Sequence, residues 1–274
     1  MGTLMRFGVC MSYREIAGLE APPLDFLEES VQRFLLPERP RDEFEAQWRA
    51  ARRLSIPIEV ANLLFPRDLK LIATPSRAVD ARRLERYVKT VIERAAQVGI
   101  QVIVFGGCLS RANPPDGDPD EAVRQIGEHL ARWGAWAETY GVEIALEPLR
   151  YEETNVVNTV AEGATLVTRL AAPSVRLLAD IYHMACNEEP PESLGRLAPL
   201  LAHAHIAERR ERAAPGTFGE DPRPFFAVLQ QGGYDRRISI ECDWRDFAAQ
   251  VGPAIATLRA QWRSAGALLA PQVP

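Results

Sequence analysis

The sequence predicts an α/β protein in which eight parallel strands and the helices between them form a single (β/α)8 barrel. Two patterns indicate this fold: apolar, β-rich runs alternate with segments of helical periodicity, and several runs end directly in a carboxylate or imidazole side chain. The length of 274 residues also fits, because such barrels commonly form one domain. We expect one domain over residues 1–274, with its core at about 6–265 and a short flexible C-terminal tail.

The first half of the chain alternates strand-like runs with helical segments. A stripe that includes Leu84, Val88 and Val91 predicts a long helix, which begins at an Asp80 N-cap and stops at Gly99. The predicted strands of this half are 6–10, 24–28, 56–60 and 101–105, and its predicted helices are 41–54 and 80–98.

The second half continues the alternation, and Gly141 is expected to end its longest helix. Strands that alternate with helices pair in parallel through right-handed crossovers, and eight such units close naturally into a barrel. A doubly wound open sheet is the alternative, but no G-x-G-x-x-G follows the first strand. The predicted strands here are 142–146, 176–179, 201–206 and 237–241, and the predicted helices are 119–140, 159–170, 191–200, 222–231 and 245–264.

The composition argues against several classes of protein. With 47% hydrophobic and 25% charged residues, the chain is typical of a soluble globular protein, and its net charge of −5 argues against a nucleic-acid partner. The four cysteines are widely spaced without a C-x-x-C pair, which fits a reducing compartment. Neither a signal-peptide pattern nor a long apolar span is found, so we expect a cytoplasmic protein with no membrane partner.

Each of the last four predicted strands ends at a side chain that can bind a metal ion. These side chains are Glu147, Asp180, His205 and Glu241. In a (β/α)8 barrel the strand C-termini converge on one face, where the active site lies. Three carboxylates and one imidazole suit Mn²⁺, Mg²⁺ or Co²⁺, with Zn²⁺ as an alternative ion. We therefore predict one divalent metal ion at the mouth of the barrel.

Some of these residues have alternative interpretations. Asp180 could instead be the N-cap of the next helix, and His183 could either face the mouth or pack in the interior. His203 and His205 are two residues apart on one strand, so both point to the same face. We favour His205 as the ligand because it lies nearer the C-terminal end of the strand.

A metal ion in such a site can polarise a carbonyl and an adjacent hydroxyl oxygen of a substrate. The proton on the carbon between them then becomes more acidic. Two carboxylates that reach opposite faces of that carbon could relay its proton.

The sequence resembles the xylose-isomerase-like sugar phosphate isomerase/epimerase superfamily, and most closely its ketose 3-epimerase branch, which includes tagatose and psicose epimerases. The resemblance runs across most of the chain, and its segments are specific only when they are taken together. They are EPLRYEETN at 147–155, LADIYHM at 178–184, HAHIA at 203–207, APG at 214–216 and GYDRRISIE at 233–241.

The resemblance implies that Glu147, Asp180, His205 and Glu241 hold one divalent metal ion. Glu147 and Glu241 would also act as the catalytic acid/base pair across the substrate carbon. The implied activity is metal-dependent epimerisation or isomerisation of a sugar or sugar-derived small molecule in carbohydrate metabolism. The number of subunits is left open, and a homo-oligomer is one alternative.

The resemblance also implies contacts to substrate hydroxyls from Glu153, His183 and an arginine shortly before the Pro-Gly pair. The loop before that pair is one residue longer than the family's usual spacing, so two arginines compete for the role. We choose Arg212, with Arg210 second. The loop after Phe105 and the segments around 10–13 and 62–65 would line the sugar pocket.

Other functions could use a similar site. Aldose–ketose isomerisation and dehydration of an inosose-type cyclitol rely on related metal and carboxylate chemistry. An AP-endonuclease-like nuclease resembles the chain at Glu147, Asp180, His183 and Glu241, but its zinc cluster needs more histidines than the four present here. A metal-free binding barrel is the third alternative.

Overall fold

Eight parallel strands close into a barrel in the computed structural model of this chain, which describes residues 5–269. The strands pair in chain order, and β1 pairs with both β2 and β8, so the sheet closes. This confirms the predicted fold. The strands are β1 Arg6–Cys10, β2 Phe26–Ser30, β3 Ile58–Asn62, β4 Val102–Phe105, β5 Glu143–Leu146, β6 Val175–Asp180, β7 Leu201–Ile206 and β8 Arg237–Ile240.

Helices connect successive strands, and the longest ones have the bounds that their apolar periodicity predicts. The α-helices are α1 Tyr13–Ile16, α2 Arg41–Ala51, α3 Ala81–Val98, α4 Pro119–Tyr140, α5 Val160–Leu170, α6 Ile181–Cys186, α7 Arg223–Gln231 and α8 Phe247–Ala265. Shorter turns are the π-helical Val31–Leu35 and the 3-10 helices Pro191–Leu194, Ala198–Leu200, Arg210–Arg212 and Gly266–Leu269.

Capping residues define the ends of α3 and α4, the two longest helices that precede Glu147 in the chain. The side chain of Asp80 accepts the backbone N–H of Arg83 at the start of α3, and Gly99 ends that helix with φ of +88°. Asp118 caps α4 in the same way, and Gly141 ends it with φ of +66°. Glycine adopts this left-handed conformation at little cost, so both helices stop where the sequence predicts.

One predicted helix is wrong, and the short observed helices α1 and α6 are missing from the prediction. The helix predicted at 191–200 is instead a pair of short 3-10 turns. Pro199 lacks the N–H that a continuing helix needs, and Gly195 weakens the segment further. Conversely, the prediction omits α6, which begins directly at the end of β6 because Asp180 both ends the strand and caps the helix.

Other boundaries differ from the prediction by up to three residues, and those in β2, β3 and α2 are among the largest differences. Strands β2 and β3 begin at Phe26 and Ile58, later in the chain than predicted. For β3 the cause is Pro57, which has no N–H to donate to the sheet. Helix α2 ends at Ala51, before the predicted residue 54.

The barrel interior beneath the mouth contains a small cluster of buried apolar side chains. Successive inward side chains on a strand are two residues apart, so Ala145 lies one layer below Glu147, and Leu178 lies one layer below Asp180. This register places the polar residues at the mouth. The apolar residues of the barrel interior form one buried cluster over successive layers, made up of Phe26, Val60, Val102, Val104, Ala145, Leu178 and Ala202.

The amino-terminal end of the barrel is closed by ion pairs. Arg6 lies 2.5 Å from the carboxylate of Glu59, and Arg237 lies 3.4 Å from the same carboxylate. The interior of the barrel is therefore reached from the other end, where the strand C-termini converge.

Within residues 5–269, no helix has both the length and the apolar character needed to cross a membrane. The tail predicted to be flexible, residues 270–274, lies outside the described residues.

Candidate metal centre

Four side chains converge at the C-terminal ends of β5 to β8. Glu147 and Glu241 directly follow β5 and β8, while Asp180 and His205 belong to β6 and β7. One ligand atom of each lies within 4.8 Å of the others. The structure thus brings together the four residues that the sequence predicts as metal ligands.

His205 points its Nδ1 atom at two of the carboxylates. This nitrogen lies 3.1 Å from Oε1 of Glu147 and 3.6 Å from Oε2 of Glu241. The ring of His203 lies 5.0 Å away, nearly perpendicular to that of His205, and His203 is not in the group of four. The geometry therefore agrees with the choice of His205.

Asp180 caps a helix and could also bind the ion, which are the two roles that the sequence left open. Its Oδ1 atom accepts the backbone N–H of Tyr182 at 2.8 Å, which caps α6. Its Oδ2 atom is buried and has no hydrogen-bond partner within residues 5–269. A buried carboxylate oxygen without a partner is costly, so this atom fits a bound cation.

The donor set of this group fits a hard divalent ion. It offers three carboxylates and one imidazole, without a thiolate. Gly106 leaves the space that Glu147 occupies, because a Cβ atom there would lie only 2.0 Å from its Oε2 atom. The residues present can therefore hold the predicted ion.

Burial and mutual repulsion perturb the acids of the group. Burial raises the pKa of Asp180 to about 6 and also raises the pKa of Glu147. Burial alone would raise the pKa of Glu241 too, but the positive charges of His205 and Arg212 lower it to about 2. A proton therefore competes with a metal ion for Asp180 at mildly acidic pH, and for Glu147 at a higher pH than for an ordinary carboxylate.

An open cavity of about 330 Å³ lies above the group. Glu153, His183 and Arg212, which the family resemblance implies as substrate contacts, line this cavity together with Glu147 and Glu241. All the predicted site residues are therefore at or beside one cavity. Their contacts with a substrate stay predictions.

Arg212 faces the cavity, whereas Arg210 does not line it. Arg212 donates to the carboxylate of Glu241, and its guanidinium lies 4.8 Å from the centre of the Tyr182 ring. Arg210 is exposed and stacks on Phe218 at 4.1 Å. The structure therefore favours Arg212 of the two arginines.

Glu208 fixes the loop that carries Arg212. Its buried carboxylate accepts the backbone N–H groups of Gly216 at 2.8 Å, Phe218 at 2.6 Å and Gly219 at 3.1 Å. Arg212 itself has φ of 46°, a left-handed conformation that is uncommon for residues other than glycine. Such strain persists only where surrounding contacts over-determine it, as they do here.

Glu153 and His183 lie beside the metal-binding group. Glu153 accepts a hydrogen bond from Nε of Arg150 at 2.8 Å and lies 3.9 Å from the guanidinium of Arg212. His183 is buried, with Nε2 3.4 Å from Oδ2 of Asp180, and burial lowers its pKa. Its Nδ1 atom has no hydrogen-bond partner in the described part of the chain.

Of the three regions predicted to line the pocket, the loop after Phe105 lines the cavity with residues 106–110. Of segment 62–65, Asn62, Leu63 and Phe65 line the cavity, and the Asn62 amide donates to Oε1 of Glu241 at 3.2 Å. Of segment 10–13, Cys10 instead belongs to a second group of polar side chains below the mouth.

Two residues close to the site are missing from the sequence-based prediction. Glu28 is fully buried, with its carboxylate 3.0 Å from Nε2 of His205, and Arg111 donates to the backbone carbonyl of Glu147 at 2.7 Å. A signal for Glu28 does exist, since an acid two positions after the inward-facing Phe26 has the spacing of a mouth residue. Arg111 lies in a loop, where no periodicity could identify it.

The chain belongs to the xylose isomerase-like TIM barrel family, which it matches over residues 17–265. This confirms the resemblance to that superfamily. The structure of an L-ribulose 3-epimerase superposes on it with a TM-score of 0.80 at 20% identity, covering 98% of this chain and 99% of that one. At this identity the likeness confirms the fold.

Curated relatives are similar over part of their length. A 3-dehydro-D-guloside 4-epimerase of Escherichia coli (strain K12) is 26% identical over 172 residues, which cover 60% of this chain and 65% of the relative. An L-ribulose 3-epimerase of Methylomonas sp. (strain DH-1) is 31% identical over 137 residues, which cover 49% of this chain and 46% of the relative. The chain thus matches between 46% and 65% of the length of these two relatives.

Proposed function

We propose that this protein is a divalent-metal-dependent sugar epimerase or isomerase, which moves a proton at the carbon next to a ketose carbonyl. The observation that carries the proposal is the convergence of Glu147, Asp180, His205 and Glu241 beneath an open cavity. Membership of the xylose isomerase-like family supports it, and both curated relatives described above are named as epimerases.

The four converging residues would hold one ion, with Mn²⁺, Mg²⁺ or Co²⁺ expected from the oxygen-rich donor set. When bound, such an ion polarises a carbonyl and a neighbouring hydroxyl and so acidifies the carbon-bound proton between them. Glu153, His183 and Arg212 offer polar groups around the same cavity, and we assign to them the contacts with substrate hydroxyls.

Glu147 and Glu241 would exchange that proton. They follow well-separated strands of the barrel, β5 and β8, so their carboxylates approach the cavity from different sides. Each is held in place, Glu147 by His205 at 3.1 Å and Glu241 by Asn62 at 3.2 Å. One carboxylate would remove the proton while the other delivers a proton to the opposite face, so the substrate carbon is inverted without a change in oxidation state.

Chelation tests the need for a metal ion. The protein would be assayed on a panel of free ketoses, ketose phosphates and 3-keto glycosides, before and after removal of metal with a chelator. We expect activity to disappear and to return with Mn²⁺, Co²⁺ or Mg²⁺. Full activity of the metal-free protein would rule out the polarisation mechanism.

Solvent exchange tests the role of the two glutamates. Product formed in D₂O should carry deuterium at the inverted carbon, and the Glu147→Gln and Glu241→Gln variants should each lose at least ~10²-fold in kcat. Glu143→Gln is a matched control, because Glu143 begins the same strand β5 but pairs with Arg236 at the opposite end of the barrel. Retention of the carbon-bound hydrogen would instead indicate a hydride shift, as in an aldose–ketose isomerase.

A further inference from the structure

Glu28 lies beneath the proposed metal centre and contacts the imidazole of His205 from the side away from the cavity. Its Oε1 and Oε2 atoms lie 3.0 Å and 3.1 Å from Nε2 of His205. Both side chains are fully buried in the barrel interior. Glu28 does not line the cavity among the described residues, so it can act on the centre only through His205.

The two nitrogens of His205 face different partners. Nε2 faces Glu28, whereas Nδ1 faces Glu147 at 3.1 Å and Glu241 at 3.6 Å. The positive charge that His205 carries in the metal-free group must be lost before a metal binds, because a metal-binding imidazole is neutral and carries one N–H. The hydrogen bond made by one nitrogen then determines which nitrogen can bind the metal. A proton on Nε2 that is donated to Glu28 leaves the lone pair of Nδ1 directed at the other ligands.

A second histidine holds the carboxylate of Glu28 in position. Nε2 of His203 lies 2.9 Å from Oε2 of Glu28 and 3.0 Å from the hydroxyl of Ser239. Nδ1 of His203 has no hydrogen-bond partner within the described chain. These contacts favour the tautomer of His203 that carries its proton on Nε2 and donates it to Glu28.

We propose that Glu28 is a positioning residue of the metal centre, which fixes His205 as the Nε2–H tautomer and directs Nδ1 to the ion. This inference rests on the proposed metal site. Carboxylates that accept a proton from a metal-binding histidine orient the ring and make it a better ligand. His203 and Ser239 keep the carboxylate where it can do so.

A rival interpretation uses the same atoms. Cys10, Glu28 and His205 form a second group whose ligand atoms lie within 4.8 Å of one another, so they could hold an ion of their own. Both oxygens of Glu28 already accept hydrogen bonds from imidazoles, which an ion at that position would break. The number of ions bound per chain separates the two interpretations.

The test is the affinity for Mn²⁺, measured by calorimetry on metal-free wild-type protein and on Glu28→Gln. We expect one ion per chain in the wild type and a dissociation constant about 10- to 100-fold larger in the variant, the usual effect of losing such a partner. Glu29→Gln is the matched control. Glu29 is the next residue of β2 and equally buried, but it accepts the backbone N–H groups of Tyr13 and Ser30 instead.

The outcomes are distinct. An unchanged Mn²⁺ affinity in Glu28→Gln, or an equal loss in Glu29→Gln, overturns the role of Glu28 but leaves the metal site intact. Two ions in the wild type, with one lost in Glu28→Gln, support the rival interpretation and overturn ours. If the wild type binds no Mn²⁺, the proposed metal site fails together with this inference.

A measurement on the wild type keeps the inference testable if Glu28→Gln does not fold. The chain has only four histidines, so the ¹⁵N resonances of histidine-labelled protein loaded with Mg²⁺ or Zn²⁺ can be assigned. We expect His205 to carry its proton on Nε2 and to bind the ion through Nδ1. A protonated Nδ1, or an ion bound at Nε2, would overturn the proposal.

Discussion

Replacing Arg111 by methionine should reduce both stability and turnover, because this buried arginine holds the end of the strand that presents Glu147. Arg111 is fully buried, and it donates to the backbone carbonyls of Phe105 at 3.3 Å, Glu147 at 2.7 Å and Val157 at 3.4 Å. Methionine fills much of the same space but donates no hydrogen bond. The carbonyl of the proposed catalytic residue would then lose its charged donor.

The size of the effect follows from these contacts. Hydrogen bonds from a charged donor contribute about 1.5–3 kcal/mol each, and only the bond to Glu147 has a short distance. Burying the charged guanidinium itself costs free energy, as shown by the pKa of Arg111, which burial lowers to about 10. Removing this charge therefore offsets part of the lost stability. We expect a net loss of about 2 kcal/mol. For a domain of this size, that lowers Tm by about 4–8 °C.

Turnover should fall further than stability alone would explain. A displacement of about 1 Å at a catalytic group can cost up to ~10²-fold in rate, so we expect kcat of Arg111→Met to drop by about 10- to 100-fold. The assays are thermal unfolding and steady-state kinetics at a temperature where the variant is fully folded.

Arg94→Met is a matched control for this experiment. Arg94 is also buried and donates to backbone carbonyls, at 2.8 Å to Leu35 and 3.0 Å to Arg39, and it lies over the ring of Phe44. It belongs to α3 on the outside of the barrel, so its replacement should lower Tm but leave kcat unchanged. Equal kcat in both variants and the wild type would refute the reasoning for Arg111.

Two further predictions concern the cavity and the metal. Arg212→Met should lower kcat/KM by about 10- to 100-fold, because a charged hydrogen-bond donor at the cavity is lost. Arg210→Met should keep a kcat/KM close to that of the wild type. Equal kcat/KM values for the two variants with the best substrate would exclude Arg212 as a substrate contact. Affinity for Mn²⁺ should weaken when the pH is lowered from about 7.5 to about 5.5. The pKa values of Asp180 and Glu147 are raised, so both carboxylates hold protons at higher pH than usual, and these protons must leave before a metal binds. A Mn²⁺ affinity that does not change with pH in calorimetry would contradict this prediction.

The architecture and the four converging residues follow from local patterns. On each of the last four strands, the apolar run and the polar residue at its end are adjacent in sequence, so the strand and its ligand are predicted together. Glu147 is an example, since the residue before it ends β5 and Pro148 after it stops the ladder. The parallel barrel then brings such ends to one face whatever the intervening loops contain.

The errors have a local physical cause. Periodicity indicates that a segment is amphipathic, but it does not show whether the backbone can complete several helical turns. The segment 191–200 contains Gly195 and Pro199 and forms only 3-10 turns, although its apolar spacing fits a helix. The sequence already favours Arg212 over Arg210, but only the structure, with its left-handed turn at Arg212, shows that Arg212 lines the cavity and Arg210 does not.

The contacts that orient the site could not be predicted, because they join residues far apart in the chain. Glu28 and His205 are separated by 177 positions, and they meet only because β2 and β7 both direct side chains into the barrel interior. The residue that could bind the ion can therefore be predicted from the sequence at a strand end. Which nitrogen of His205 faces the ion, in contrast, depends on contacts that form only in the closed barrel. For the same reason, a substitution at Glu28 should change the metal affinity of His205 without altering any residue at the mouth.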